Sequence, residues 1–253
     1  MRTQLARIGS LIGREHARVG RNNQDACAAG GGHGWHVVAV TDGCSAGTSS
    51  EVGARLGASF LAAQAPSHLA ACPDPLGAAR TLSACLTSAL ERLVTACAAP
   101  GDRPAFVAEH LLFSFLVAAV GPERAVVFGV GDGVVIADGE ARCLDPGPDN
   151  APPYLAYRLV PAEVLDPPFP ADALEPRLHL DLPREQLSVV GVSTDGLGEL
   201  LARDRDAAMA VLAGPADSEN PSLLGKRLRA LCPRGLAPAD DLTLGILHLG
   251  GSS

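Results

Sequence analysis

Three apolar stretches that end in Asp-Gly constrain this 253-residue chain more than any other feature. VVAVTDGCSAG covers residues 37–47, VVFGVGDGVV surrounds Asp132, and VVGVSTDGLG surrounds Asp195. An Asp-Gly pair after a β-type run is typical of a tight turn. Its recurrence at three strand ends also fits three carboxylates that are parts of one site. Both interpretations stay open on this pattern alone.

The order of the predicted elements indicates the fold class. Early strands are followed by two helices, then by three strands whose links are too short for parallel crossovers and so predict an antiparallel meander. This order favours an α+β layered sandwich over a doubly wound fold, in one domain over residues 1–253. The predicted strands are 3–13, 36–41, 112–120, 125–130, 133–137, 187–194 and the closing DDLTLGILHL. The predicted helices after the meander are 196–203, 205–213 and 221–232.

Two helices are predicted between the early strands and the meander. EVGARLGASFLAAQ follows Thr48 or Ser49 as N-cap, and its apolar face is predicted from Val52, Leu56 and Phe60 at i, i+4 and i+8. The second helix is predicted over 75–98. Its apolar stripe comprises Leu82, Leu86, Leu90, Leu93 and Val94.

Proline concentrates in a segment at about 145–185, where the periodic pattern is lost. A long irregular loop in a compact domain is more often functional than accidental. If the chain is an enzyme, we expect this segment to lie near the active-site cleft and to help select the substrate.

Composition and charge exclude several classes of protein. Apolar residues make up 47% of the chain, which predicts a sizeable core. The net charge is −8 without a basic block, so we expect no nucleic-acid partner. The most apolar stretch, LLFSFLVAAV, is ten residues long against the roughly 20 of a membrane helix, which predicts a cytoplasmic protein without a membrane partner. The seven cysteines lack a C-x-x-C pair and are predicted to be mostly small core residues.

Four acidic positions are associated with strands: Asp42, Asp132, Asp195 and the pair Asp240-Asp241. Taken singly, Asp132 fits a hairpin turn, Asp42 and Asp195 fit helix N-termini, and Asp240 fits a turn. Taken together, they fit a hard-cation site, because Mg²⁺ and Mn²⁺ prefer oxygen ligands on rigid supports. Two such ions about 3.5–4 Å apart can hold a hydroxide for in-line attack on phosphorus.

The motifs follow one another in a recognisable order: GREHARVGRNNQDA, VVAVTDGCSAGTSSEVGARL, VVFGVGDGVVI, VVGVSTDGLGEL and ADDLTLGIL. In this order the chain resembles a bacterial branch of the metal-dependent type 2C protein phosphatases. The resemblance implies a four-layer α-β-β-α sandwich of two antiparallel sheets flanked by helices. It also implies a Mn²⁺ or Mg²⁺ centre of two ions that hydrolyses phosphoserine and phosphothreonine by direct attack of a metal-bridging hydroxide.

The resemblance assigns metal roles to individual positions. Asp42 matches the carboxylate that bridges the two ions, Gly43 a carbonyl donor, and Asp195 and Asp240 the other ligands of the first ion. Asp132 matches the position of a weaker third ion, and Asp241 stands where the family usually has Asn. Asp25 matches the second residue of a Glu-Asp pair. Gln24 replaces the first, which weakens one water-mediated contact to the second ion.

Two departures from the family pattern concern the phosphate side. The usual phosphate-binding arginine is replaced by Gly20, and His16, Arg18 or Arg21 are the candidates to take over its role. The histidine that some members carry after the Asp-Gly is replaced by Cys44, a poor proton donor. Because the direct metal ligands are retained, the resemblance predicts an active enzyme.

The predicted function is a protein serine/threonine phosphatase whose partners are a Ser/Thr kinase or its phosphorylated targets. Two alternatives stay open: a regulatory module of the same fold that binds phosphoproteins with weak or no turnover, and a phosphatase of small metabolites.

Overall fold

The computed structural model describes residues 5–147, 152–161, 170–213, 220 and 222–249. These residues contain ten strands: β1 (Leu5–Leu11), β2 (Ala26–Gly32), β3 (Trp35–Gly43), β4 (Phe113–Val120), β5 (Arg124–Val130), β6 (Val134–Ala137), β7 (Glu140–Cys143), β8 (Arg177–Pro183), β9 (Val189–Ser193) and β10 (Leu242–His248). One antiparallel sheet has the order β1-β10-β9-β6-β7, and the second has the order β2-β3-β4-β5-β8.

Helices cover the outer faces of the two sheets. The described residues form the helices α1 (Arg14–Val19), α2 (Glu51–Ala71), α3 (Pro75–Cys97), α4 (Arg103–His110), α5 (Gly196–Arg203), α6 (Arg205–Leu212) and α7 (Leu223–Arg229), of which α1 contacts residues 238–241. One core joins α2, α3 and α4 to the second sheet, another joins α5, α6 and α7 to the first, and a third fills the space between the sheets. The predicted four-layer α-β-β-α sandwich is therefore confirmed.

The residues of strand β4 alternate between two layers of the sandwich. All eight of its residues are buried. Phe115 and Val117 belong to the core under the helices, whereas Leu116 and Ala118 belong to the core between the sheets. A strand covered on both faces is apolar at every position, with alternate residues pointing to opposite layers.

The predicted apolar face of α2 is wrong. Val52 and Leu56 are 43% and 47% exposed, and the buried face contains small residues such as Gly53 and Ala58. A Cβ atom at Gly57 would lie 2.5 Å from the Phe113 ring, so the first half of α2 packs too close to Phe113 for large side chains, whereas Leu61 further along the helix is buried. The other predicted helix, α3, buries Leu82, Leu86, Leu90 and Val94 of the predicted stripe, and Leu93 is partly buried.

The N-cap of α2 is Ser50, and neither Thr48 nor Ser49 takes that position. The Ser50 hydroxyl makes no capping bond because it accepts a hydrogen bond from Gln24 Nε2 at 2.8 Å. The start of α2 is thereby tied to the segment before β2.

The predicted antiparallel meander of three strands is wrong at its second link, between β5 and β6. β4 and β5 pair as expected, but β6 belongs to the other sheet and pairs with β9. Gly131 and Gly133 have φ angles of +97° and +123°, and a Cβ at Gly133 would lie 2.5 Å from the Ser193 carbonyl oxygen. Gly-Asp-Gly therefore carries the chain between sheets, and the hairpin-turn interpretation of Asp132 does not hold.

The proline-rich segment is not irregular throughout. Its residues 177–183 form β8, an edge strand paired with β5, and short 3₁₀ turns cover Leu155–Leu159 and Ala171–Leu174. Proline is tolerated at a sheet edge, which is why the composition concealed the strand. Parts of the segment, 148–151 and 162–169, lie outside the described residues.

The cysteines depart from expectation as well. All seven are free, and each is at least partly exposed, so the prediction that most are core residues is wrong. Within the described ranges, no helix combines the length and the apolar character needed to cross a membrane.

Candidate metal centre

Strand pairing brings the predicted acidic positions to one end of the sandwich. Asp25 precedes β2 and Asp42 lies near the end of β3, and the pairing of Ala26 with Thr41 makes them neighbours. Asp132 precedes β6 and Asp195 follows β9, and Val134 pairs with Ser193.

Five carboxylates interact electrostatically at this end. The pKa of Asp42 is raised well above its usual value, by burial and then by Asp25, Asp195, Asp132 and Asp240 in decreasing order. Like charges disfavour ionisation of a buried neighbour. The cluster is therefore an acidic site that binding of a cation would stabilise.

The Asp195 carboxylate has one oxygen available to coordinate a cation. Burial, followed by Asp132 and Asp240, raises its pKa to about 6. It occupies the N-cap position of α5 but makes no capping bond, and its buried Oδ1 has no hydrogen-bond partner among the described residues. A buried carboxylate oxygen without a donor is costly unless a cation or water satisfies it.

Asp25 is held by the residue that precedes Asp195. The Thr194 hydroxyl donates to Asp25 Oδ2 at 2.8 Å and accepts from the Thr243 backbone N–H at 3.0 Å. Burial and then Asp241 raise the pKa of Asp25. Thr194 was not singled out from the sequence, although its place directly before the Asp195-Gly196 pair was the available signal.

Asp241 joins three separate parts of the chain. Its Oδ1 accepts from the Gly13 N–H at 2.7 Å, and its Oδ2 accepts from the Gln24 N–H at 2.6 Å and contacts His16 Nδ1 at 2.9 Å. Asp241 is 2% exposed, so these contacts are shielded from water. Its position suits an anchor of the site better than a metal ligand.

Asp240 remains open to the site. Its side chain is 47% exposed, and its backbone is held by Glu199 of α5, whose Oε2 accepts from the Ala239 N–H at 2.7 Å and from the Asp240 N–H at 3.4 Å. Sequence reasoning did not identify Glu199 as a positioning residue. Its place one helical turn after Asp195 was the only signal.

His16, Asp240 and Asp241 form a second possible cation group. Each offers one ligand atom, and these atoms lie within 4.8 Å of one another. The group is already bonded internally, because Asp241 binds His16 and Asp240 Oδ1 accepts from the Asp241 N–H at 2.7 Å. The neighbouring group around Asp42 and Asp195 has the unsatisfied oxygen and the mutual repulsion, and it fits a hard divalent cation better.

The three phosphate-side candidates have different surroundings. Arg18 pairs with Glu15 and its side chain is 70% exposed. Arg21 donates from Nη1 to the Ser45 carbonyl and from Nη2 to the Gly47 carbonyl, both at 2.7 Å. Arg21 therefore lies against the loop that follows Asp42, whereas His16 is buried beside Asp241.

The proline-rich segment reaches the site through Tyr154. Burial, followed by Cys44 and its hydrogen bond with the tyrosine hydroxyl, raises the pKa of Tyr154. Tyr154 and Tyr157 pack edge to face with ring centroids 5.4 Å apart. Both tyrosines thus lie beside Cys44, the residue that follows the Asp42-Gly43 pair.

The chain belongs to the protein phosphatase 2C family, because the family model of that description matches residues 12–230. No curated protein sequence matches the chain significantly.

Solved structures similar to this chain include bacterial phosphatases. One is a bacterial serine phosphatase bearing a single arginine substitution, at 14% identity and TM-score 0.64, with 99% of this chain and 100% of that chain covered. Another is the serine/threonine phosphatase Stp1 from Staphylococcus aureus, at 14% identity and TM-score 0.61, with 98% and 96% covered. PppA from Pseudomonas aeruginosa, described as a key regulatory component of T6SS, has 18% identity and TM-score 0.52, with 97% of each chain covered. At these identities the likeness shows the fold.

Proposed function

We propose that the chain is a Mn²⁺- or Mg²⁺-dependent phosphatase that hydrolyses phosphoserine and phosphothreonine in proteins. The observation that supports it most is the convergence of Asp42, Asp195 and Asp240 with Asp25 and Asp132, including an Asp195 oxygen with no partner in the described part of the chain. A bound divalent cation would neutralise these carboxylates and supply Lewis acidity toward a phosphate ester.

Asp42, Asp195 and Asp240 would hold the cations, with the Gly43 carbonyl beside them and Asp25 and Asp132 at the flanks. Gly43 suits this position because a Cβ there would lie 2.6 Å from the Gln24 carbonyl oxygen. Thr194 keeps Asp25 oriented, and Asp241 keeps the segment around His16 and Gln24 in place.

On the phosphate side we favour Arg21. Two of its five N–H groups hold the loop that follows Asp42, and the planar guanidinium has further donors for phosphate oxygens. Tyr154 would form part of the wall that contacts the substrate near Cys44. A kinase or its phosphorylated targets would supply the substrate.

The test is hydrolysis of a phosphothreonine peptide at increasing Mn²⁺ by the wild type and Asp42→Asn. We expect Mn²⁺-dependent turnover that falls by at least about 100-fold in the variant, the scale for losing one group that stabilises a transition state. Asp138→Asn is the matched control, because Asp138 belongs to an Asp-Gly turn outside the cluster and accepts from Ser188 and Val189 N–H. Its activity should equal that of the wild type.

The same assay separates the alternatives. Peptide binding without turnover at any metal concentration would contradict the enzyme and support a regulatory phosphoprotein-binding module. Faster turnover of a nucleoside monophosphate than of any phosphopeptide would contradict a protein substrate and support a metabolite phosphatase.

A further inference from the structure

A cleft opens between the edge strands of the two sheets, β7 and β8, and it also includes residues of β6. This edge cleft has a volume of about 490 Å³, within the range of small-molecule sites. Its floor includes Val135 of the inter-sheet core together with Leu180 and Leu182. None of its lining residues belongs to the carboxylate cluster.

His179 lies at a β-bulge in the wall of the edge cleft. Val127 pairs with Leu180 and Phe128 pairs with Leu178, so His179 is the extra residue of β8. Bulges redirect a side chain and are frequent next to functional sites. The buried Nε2 of His179 has no hydrogen-bond partner among the residues that the structure describes.

The edge cleft offers one cationic side chain, Arg142, to a ligand. Burial, followed by Arg142 and Arg177, lowers the pKa of His179 to about 4, so its ring is neutral at pH 7. Asp181 is already paired with Arg124 at 2.6 Å. Glu140, the other acidic residue of the lining, has a side chain that is 87% exposed and lies 3.9 Å from Arg205. Arg142 has no carboxylate partner within the described ranges, so its guanidinium is the cation available to an anionic ligand.

Arg142 is held in place at the edge of β8. Its Nη2 donates to the His179 carbonyl at 2.9 Å, which leaves its other donors for a ligand. The same bond occupies a carbonyl that an added strand would need, and the bulge interrupts the edge. Pairing of a peptide strand with β8 is therefore disfavoured.

We propose that the edge cleft binds a small organic anion with an apolar body. The carboxylate or phosphorus-centred head contacts Arg142 and His179 Nε2, and the apolar body lies on Leu180 and Leu182. The ligand satisfies the buried imidazole nitrogen and covers the apolar floor at the same time. This site is separate from the proposed catalysis.

The experiment is isothermal titration calorimetry of the full chain with two probes, octanoate and octylphosphonate. Neither probe can be hydrolysed, and the pair distinguishes a carboxylate head from a phosphorus-centred head. We expect binding of at least one probe with a Kd below about 1 mM. Arg142→Met should weaken it at least tenfold and His179→Phe at least threefold, whereas Arg55→Met, a substitution of an exposed arginine on α2, should leave it unchanged.

Octanol is the neutral control, and circular dichroism verifies that each variant is folded. The proposal is overturned if neither probe binds, if octanol binds as tightly as the anions, or if Arg142→Met binds like the wild type. Should Arg142→Met fail to fold, chemical-shift changes of the His179 ring on titration of the wild type decide instead, and an unshifted ring overturns the proposal.

Discussion

Removal of the Asp241 carboxylate should destabilise the whole protein, because it anchors three segments. Asp241→Ala leaves the Gly13 and Gln24 N–H groups buried without an acceptor and frees His16 Nδ1. Each unsatisfied buried donor costs about 1–3 kcal/mol. Relief of repulsion with Asp25 offsets part of this cost. We expect a net loss of about 3 kcal/mol in the free energy of unfolding, or roughly 6–12 °C in Tm.

Asp241→Asn should cost less, about 1 kcal/mol, because the amide keeps one of the two acceptor oxygens of the carboxylate. Urea unfolding followed by the fluorescence of Trp35, the only tryptophan and a buried one, measures both variants. Asp102→Ala serves as the control, since that carboxylate is exposed and makes no capping bond. If both Asp241 variants lie within about 0.5 kcal/mol of the wild type, the anchoring role is refuted.

Three further predictions concern other parts of the fold. Gly133→Ala should lower the free energy of unfolding by about 2–4 kcal/mol in a urea titration, because of its φ of +123° and the close Ser193 carbonyl; an unchanged midpoint would contradict the crossing between sheets. Leu56→Ser should change stability by less than about 0.5 kcal/mol and Leu61→Ala should lower it by about 2–5 kcal/mol, and the reverse order would show that the buried face of α2 is misassigned. The pKa of His179 is about 4 in the folded protein, against an ordinary value of 6.5. As the pH drops, the unfolded chain therefore takes up a proton at this residue before the folded protein does, and the free energy of unfolding falls between pH 6.5 and pH 4. Thermal melts across this window should show a smaller fall for His179→Gln, and identical slopes would contradict the buried neutral ring.

Much of the architecture was predictable, because a strand that is buried on both faces appears in the sequence as a short apolar run. β3, β4, β5 and β9 appear in the sequence as short apolar runs, and the stripe of α3 appears at helical spacing. β2 was not predictable, because ACAAGGG has little β propensity. It is a strand because it pairs with β3 and because Gly30 lets it approach Ala62 of α2, where a Cβ would lie 2.0 Å from the carbonyl oxygen.

The acidic positions of the candidate site were predictable from their order along the chain, but their surroundings were not. A Gly-Asp-Gly sequence is compatible with a hairpin turn and with a crossing between sheets. The pairing of β6 with β9 shows that Asp132 lies in a crossing. The role of Asp241 depends on partners that lie 217–228 residues away in sequence. Local sequence patterns do not reveal such partners. The face of α2 was mispredicted because a large ring at Phe113 selects small partners over large ones.

Anomalous scattering from crystals grown with Mn²⁺ tests the central claim most directly, because it locates the cations without an assay. We expect manganese peaks within coordination distance of Asp42, Asp195 and Asp240, and their loss in Asp42→Asn crystals. A peak held only by His16, Asp240 and Asp241, or no peak at the carboxylate cluster, would contradict it.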